Sequence, residues 1–234
     1  MDPLCSTIRL LRCSSLVLLI GLVFVTGCGR DEAPASAAEP PRRDSTPAAA
    51  ARPRVVVLGD SLTAGLGLSA DEAYPAILQR KMDGEHLNYE VVNAGVSGDT
   101  TAGGLRRLGW VLSGDVRVLV IALGANDGLR GLPANEMKQN LSTIISTARN
   151  RGVAVVLAGM EAPPNFGPEY TAAFRQVYRD LARQQRVPLI PFLLHGVAGE
   201  SALNQADGIH PNEEGARRVA EVVWPALRPL LVRR

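Results

Sequence analysis

The sequence predicts an α/β protein built on a doubly wound sheet of about five parallel strands, and three observations carry that expectation. From Arg54 onward, short β-branched apolar runs alternate with stretches of helical periodicity. Several of the runs are apolar along nearly their whole length, VRVLVIAL at 116–123 above all, as strands buried on both faces of a parallel sheet are. All three cysteines, Cys5, Cys13 and Cys28, precede this region, so its fold must stand on packing, without a disulfide or a thiolate-bound metal.

Taken in order, the strands are expected at Arg54–Leu58, Tyr89–Asn93, Val116–Leu123, Val153–Ala158 and Val187–Pro191. The first helix runs through AILQRKM, because Pro75 suits a first turn and Gly84 a stop. Ser69 and Glu72 mimic a capping box, but a helix starting there would carry Pro75 inside it, so that start is set aside. Thr100–Leu112 makes the weakest helix, with Gly103, Gly104 and Gly109 within it. Met137, Leu141, Ile144, Ile145 and Ala148 recur at helical spacing and are core residues, with Gly152 closing the segment. Two more helices are expected at Tyr170–Arg186 and Asn212–Trp224, the last kinked or ended by Pro225 and Pro229.

The chain has 234 residues, room for one domain with a full core, and 46% hydrophobic with 21% charged residues is an ordinary globular balance. A net charge of +2, with the basic side chains scattered, argues against nucleic acid as a partner. Residues 1–27 read as a secretion signal: Arg9 and Arg12 precede an apolar run, Leu16–Val25, that is short for a membrane span. Residues 28–53 are rich in alanine and proline and from residue 29 hold no large apolar side chain, so they read as a tether ahead of a folded domain at 54–234.

Chemistry concentrates where apolar strands end. RVVVLGDSLTAG runs a strand into Gly59-Asp60-Ser61-Leu62, leaving Ser61 at the carboxyl end of a parallel strand, where a following loop has unpaired N–H groups. A serine hydroxyl is a poor nucleophile unless a base takes its proton, so this reading requires a histidine. His86 sits ahead of the second strand, remote from any strand's carboxyl end. His195 follows the fifth strand but has no near carboxylate before Glu200. His210 has Asp207 three residues earlier on a glycine-containing turn, so one short loop can carry acid and base together. The plainer alternative makes Asp207 a helix cap and His210 a surface residue.

Asp60 and Asp127 read as loop-ordering carboxylates that accept from backbone N–H groups. Oxyanion donors are expected from the N–H of Ser61, the N–H of Gly95 and the side-chain amide of Asn126, which follows the most apolar strand. Gly65–Ala70 matches a dinucleotide fingerprint on paper but lies six residues past the strand. Gly95-Val96-Ser97-Gly98 lacks the last glycine of a G-x-S-x-G elbow, and metal-ligand spacings are absent.

GDSLTAG, NAGVSGDTTAGGL, GANDGLRG and DGIHPNEEG, in this order, resemble the four blocks of the SGNH (GDSL) hydrolases, from about Arg54 to the C-terminus. The similarity is nearest to their arylesterase, acyl-CoA thioesterase and lysophospholipase branch. It implies a flavodoxin-like three-layer α/β/α sandwich with Ser61 as nucleophile, His210 as base and Asp207 as its orienting acid. Ser61, Gly95 and Asn126 would form the oxyanion hole, with no cofactor and no metal. Val25-Thr26-Gly27-Cys28 resembles a bacterial lipobox, which implies lipidation at Cys28 and a membrane-anchored envelope protein; an uncleaved anchor and an ordinary cleaved signal are the alternatives.

The expected activity is hydrolysis of small or lipid esters: aryl esters, acyl esters, lysophospholipids or thioesters. Coenzyme A thioesters are cytosolic and suit an exported enzyme poorly. The loop Glu161–Tyr170 is expected to border the acyl groove with Phe166 as an apolar wall. The competing expectations are a carbohydrate O-deacetylase and an envelope binding lipoprotein without activity. A monomer is expected.

Overall fold

The computed structural model describes residues 52–232. The expected signal segment, Cys28 and the tether up to residue 51 lie outside the described residues.

Five parallel strands form one sheet in the order β2-β1-β3-β4-β5. They are β1 Arg54–Gly59, β2 Glu90–Gly95, β3 Val116–Ala122, β4 Ala154–Ala158 and β5 Leu189–Ile190. The helices are α1 Ser61–Ala64, α2 Tyr74–Gly84, α3 Thr101–Arg106, α4 Leu108–Val111, α5 Ala125–Leu129, α6 Ala134–Asn150, α7 Pro168–Gln185 and α8 Glu213–Val232. β1 and β3 form the centre of the core, with Val55, Val57, Leu58, Leu119, Val120 and Ile121 fully buried. On one face α2 packs on α8, and elsewhere α6 packs against both α3 and α7. This is the three-layer, doubly wound arrangement, and its chain order reverses between β1 and β3. No described helix is long and apolar enough to cross a membrane.

Several boundaries differ from the sequence reading for physical reasons. The fifth strand shrinks to Leu189–Ile190, an edge pair held to β4 and flanked by Pro188 and Pro191, which have no N–H to give to a ladder. Thr100–Leu112 breaks at Arg107 into α3 and α4, consistent with its glycine content. The last helix passes through Pro225 and Pro229, which are both exposed, while Val223, Trp224, Leu227 and Leu231 on its other face are buried. Prolines on the solvent side give up their backbone hydrogen bonds where water can replace them, and the inner packing is kept. The Glu72 carboxylate does accept the N–H of Ser69 at 2.9 Å, but within a turn, and α2 starts at Tyr74 with Pro75 in its first turn.

Candidate active site

The carboxyl ends of β1, β2 and β3 converge at the point of chain reversal, where an α/β sheet opens a crevice. β1 ends at Gly59, and Asp60 caps the single-turn helix α1 by accepting the N–H of Leu62 at 3.0 Å. Ser61 is therefore the first residue of α1, where backbone N–H groups have no intrahelical acceptor. Gly65 closes the turn in the left-handed region, φ 78°, which a residue without Cβ adopts freely.

The loop before α8 brings the other half of the site. Asp207 Oδ1 accepts the backbone N–H groups of Ile209 at 2.9 Å and His210 at 3.0 Å, while Oδ2 lies 2.7 Å from His210 Nδ1. These bonds hold the Asp207 carboxyl down at about 2, the His210 N–H contributing most, then the Ile209 N–H and the imidazole. A carboxylate only accepts, so Nδ1 carries the hydrogen and Nε2 presents its lone pair. Nε2 lies 2.9 Å from Ser61 Oγ. Gln205 braces the two halves: its Nε2 donates to Leu66 O at 2.7 Å, in the loop after Ser61, and to Pro211 O at 2.9 Å, beside His210. Of the other histidines, His86 is exposed ahead of β2 and His195 is exposed after β5.

Gly95, at the end of β2, comes against α1: a Cβ there would fall 2.2 Å from the Ala64 backbone nitrogen. Its N–H is not free but donates to Asn93 Oδ1 at 2.9 Å, and Asn93 Nδ2 donates to Thr63 O at 2.9 Å. Asn93 thus straps β2 to α1. Asn126 lies in α5 after β3, and its Nδ2 donates to Asp60 Oδ2 at 3.3 Å.

Both loop aspartates are buried, and each reaches further than its own loop. Asp60 holds Leu62 as expected and Asn126 in addition. Burial pushes its carboxyl up to about 6, against the opposing pull of the Leu62 N–H, the Asn126 amide and nearby His210. Asp127 accepts the N–H of Thr101 at 2.8 Å and its hydroxyl at 2.6 Å, so it anchors α3 rather than its own loop. Sequence reasoning also missed Arg107, whose Nε donates to Asp99 Oδ2 at 2.7 Å and whose Nη2 donates to Gly59 O at 2.9 Å, just ahead of Ser61. An arginine on a glycine-rich segment carries no local signal of that role.

A groove of about 730 Å³ opens at Ser61, Asn126 and His210, with apolar walls from Leu66, Leu129, Met160, Phe192, Leu194 and Ile209. The loop after β4 borders it through Glu161, Ala162, Pro163 and Pro164. Phe166 is not part of that wall. Its ring packs toward Gly131 and Tyr170, with centroids 5.4 Å apart, at the head of a run along α7 that continues to Phe174 and Tyr178. Aromatic stacking at helical spacing outcompetes the groove for this side chain.

The profile of the GDSL-like lipase/acylhydrolase family matches residues 57–218. The chain belongs to that family. It is 46% identical over 183 residues to Esterase TesA of Pseudomonas aeruginosa, covering 78% of this chain and 91% of the relative. It is 38% identical over 184 residues to Thioesterase 1/protease 1/lysophospholipase L1 of Escherichia coli, covering 78% and 87%. A crystal structure of TesA superposes with a TM-score of 0.73 at 46% identity, covering 76% of this chain and 99% of that one. This member of the GDSL family is a carboxylic ester hydrolase with the SGNH fold.

Proposed function

We propose that this esterase works through an acyl-enzyme on Ser61, with His210 as general base and acid and Asp207 as the group that orients the imidazole. The observation that carries the reading is the 2.9 Å bond from Ser61 Oγ to His210 Nε2, with Asp207 2.7 Å behind Nδ1. His210 takes the hydroxyl proton as Ser61 Oγ attacks the ester carbonyl, then returns it to the departing alcohol. Water repeats the sequence and frees the acid.

The oxyanion is held by the N–H of Ser61, the Asn126 amide and the N–H of Gly95, which the substrate must draw away from Asn93 or share with it. The apolar groove favours acyl groups longer than acetyl, as in acyl, aryl and lysophospholipid esters, over an O-deacetylase role. The signal segment at 1–27, lipidation at Cys28 and the tether at 28–53 would place a monomeric domain 54–234 at the bacterial envelope, where ester lipids are at hand.

The test is a panel of p-nitrophenyl esters from acetate to octanoate, with lysophosphatidylcholine and acetylated xylan, combined with fluorophosphonate labelling. Labelling at Ser61 and faster turnover of the longer esters are expected; failure of Ser61 to label overturns the mechanism. Mass spectrometry of the mature N-terminus tests Cys28, where an unmodified cysteine removes the anchor.

A further inference from the structure

Asp60 poses a physical problem. The residue is 1% exposed, and burial raises its pKa to about 6, so near neutral pH the charge works against folding. As a cap for α1 an asparagine would serve about as well, without that cost. The charge is explained by what its second oxygen does.

Resting on the acyl-enzyme reading above, we propose that Asp60 is a positioning residue for the oxyanion, its carboxylate holding the Asn126 amide so that an N–H faces the reacting carbonyl. An asparagine amide can turn either way, presenting nitrogen or oxygen. An ionised carboxylate has only acceptors, so it admits one orientation: Asn126 Nδ2 toward Asp60 Oδ2, at 3.3 Å. That uses one N–H. The second diverges from Asp60 in the amide plane and is available to the groove that Asn126 lines beside Ser61 and His210. Asp60 is itself fixed, since Oδ1 accepts the Leu62 N–H at 3.0 Å and the residue directly follows Gly59, the end of β1, which pairs with Ala122 at the end of β3. Its charge acts on the buried phenols of Tyr74 and Tyr178, and nearby His210 draws the Asp60 pKa down. Burial raises both phenols, so they stay neutral and do not replace it.

Asp60→Asn makes the test. Its amide oxygen can still cap Leu62, but the atom facing Asn126 becomes a donor. Asn126 must then turn its own oxygen toward it, leaving oxygen where the oxyanion needs a hydrogen. A double-mutant cycle of Asp60→Asn and Asn126→Ala on the full chain is read by p-nitrophenyl butyrate kinetics and thermal unfolding. In the parent background Asp60→Asn is expected to lower kcat roughly 10- to 100-fold, below the full loss of one oxyanion donor, with KM changed less than about threefold. In the Asn126→Ala background the same change is expected to cost less than about threefold, with the unfolding temperature at pH 7.5 no lower than the parent's. Equal losses in both backgrounds overturn the proposal and leave the catalytic reading standing. An Asn126→Ala kcat within about threefold of the parent overturns this proposal together with the oxyanion role of Asn126. Asp60→Ser, which keeps a cap acceptor and leaves Asn126 unheld, gives a second measurement should Asp60→Asn fold poorly; it too must lose its effect once Asn126 is alanine.

Discussion

His210 Nε2 sits 2.9 Å from Ser61 Oγ although the two lie 149 positions apart in the chain. The distance is set by two short loops, one capped by Asp60 and one closed by Asp207, and Gln205 ties them together through Leu66 O and Pro211 O. Ser61→Ala and His210→Ala are each expected to lower turnover by roughly 10⁴- to 10⁶-fold while leaving the circular dichroism spectrum unchanged. A loss below tenfold in either would refute the nucleophile–base pair.

Asp207→Asn keeps an acceptor for the two backbone N–H groups but leaves the imidazole free to take the other tautomer. A drop in kcat on the order of 10⁴ is expected, measured at saturating substrate. The Asp207 carboxyl is held at about 2, below its unfolded value, so its stabilising contribution is present above pH ~4 and is lost as the pH falls toward 2. Activity at pH 4 and above is therefore expected to show no titration from Asp207.

Asp60 has the opposite sign. Its folded pKa of about 6 exceeds the unfolded value, so the folded protein binds the extra proton between pH ~4 and ~6 and becomes less stable as pH rises through that window. The shift corresponds to a penalty on the order of 3 kcal/mol at neutral pH. Asp60→Asn is expected to raise the unfolding temperature at pH 7.5 and leave it near the parent's at pH 4, by scanning calorimetry. Equal shifts at the two pH values would contradict the buried-charge account.

Gly95→Ala places a methyl group 2.2 Å from the Ala64 backbone nitrogen. The helix that must yield is the one that carries Ser61. A loss of stability of about 1–3 kcal/mol is expected from the overpacking, with a fall in kcat as α1 shifts. Denaturant unfolding read beside turnover checks it, and a variant with parental stability would show that this contact is looser than described.

Leu129 and Ile209 line the groove and are half exposed, at 47% and 49%. Leu129→Ser is expected to raise KM for octanoyl esters about 5- to 30-fold, the equivalent of one lost leucine contact, and to leave acetate esters nearly unaffected. Equal effects on both esters would remove this wall from the acyl site.

Much of this was legible in single stretches of chain. β3 announces itself because a strand buried on both faces tolerates few polar residues, and α6 because its core residues Met137, Leu141 and Ile144 follow the helical period. Asp207 and His210 were legible as a pair because the bonds between them span three residues. The place of Phe166 is not legible in the chain, because its position in the β4 loop says nothing of the Tyr170 ring it packs on. Pro225 and Pro229 suggest a kink or an end in the chain alone, because their exposure on the outer side of α8, which lets the helix run on, is a tertiary fact.

Periodicity, capping and turn preference act over a few neighbours, so the alternation of strands and helices, the ends at which chemistry could gather and the residue types there are written in the chain alone. Long-range packing set what remains: that Asn126 turns its nitrogen to Asp60, that Gly95 donates its N–H to Asn93, and that Arg107 reaches Gly59. Those outcomes depend on which loops the parallel sheet sets side by side and on the burial of charge between them. No local pattern of residues encodes either one.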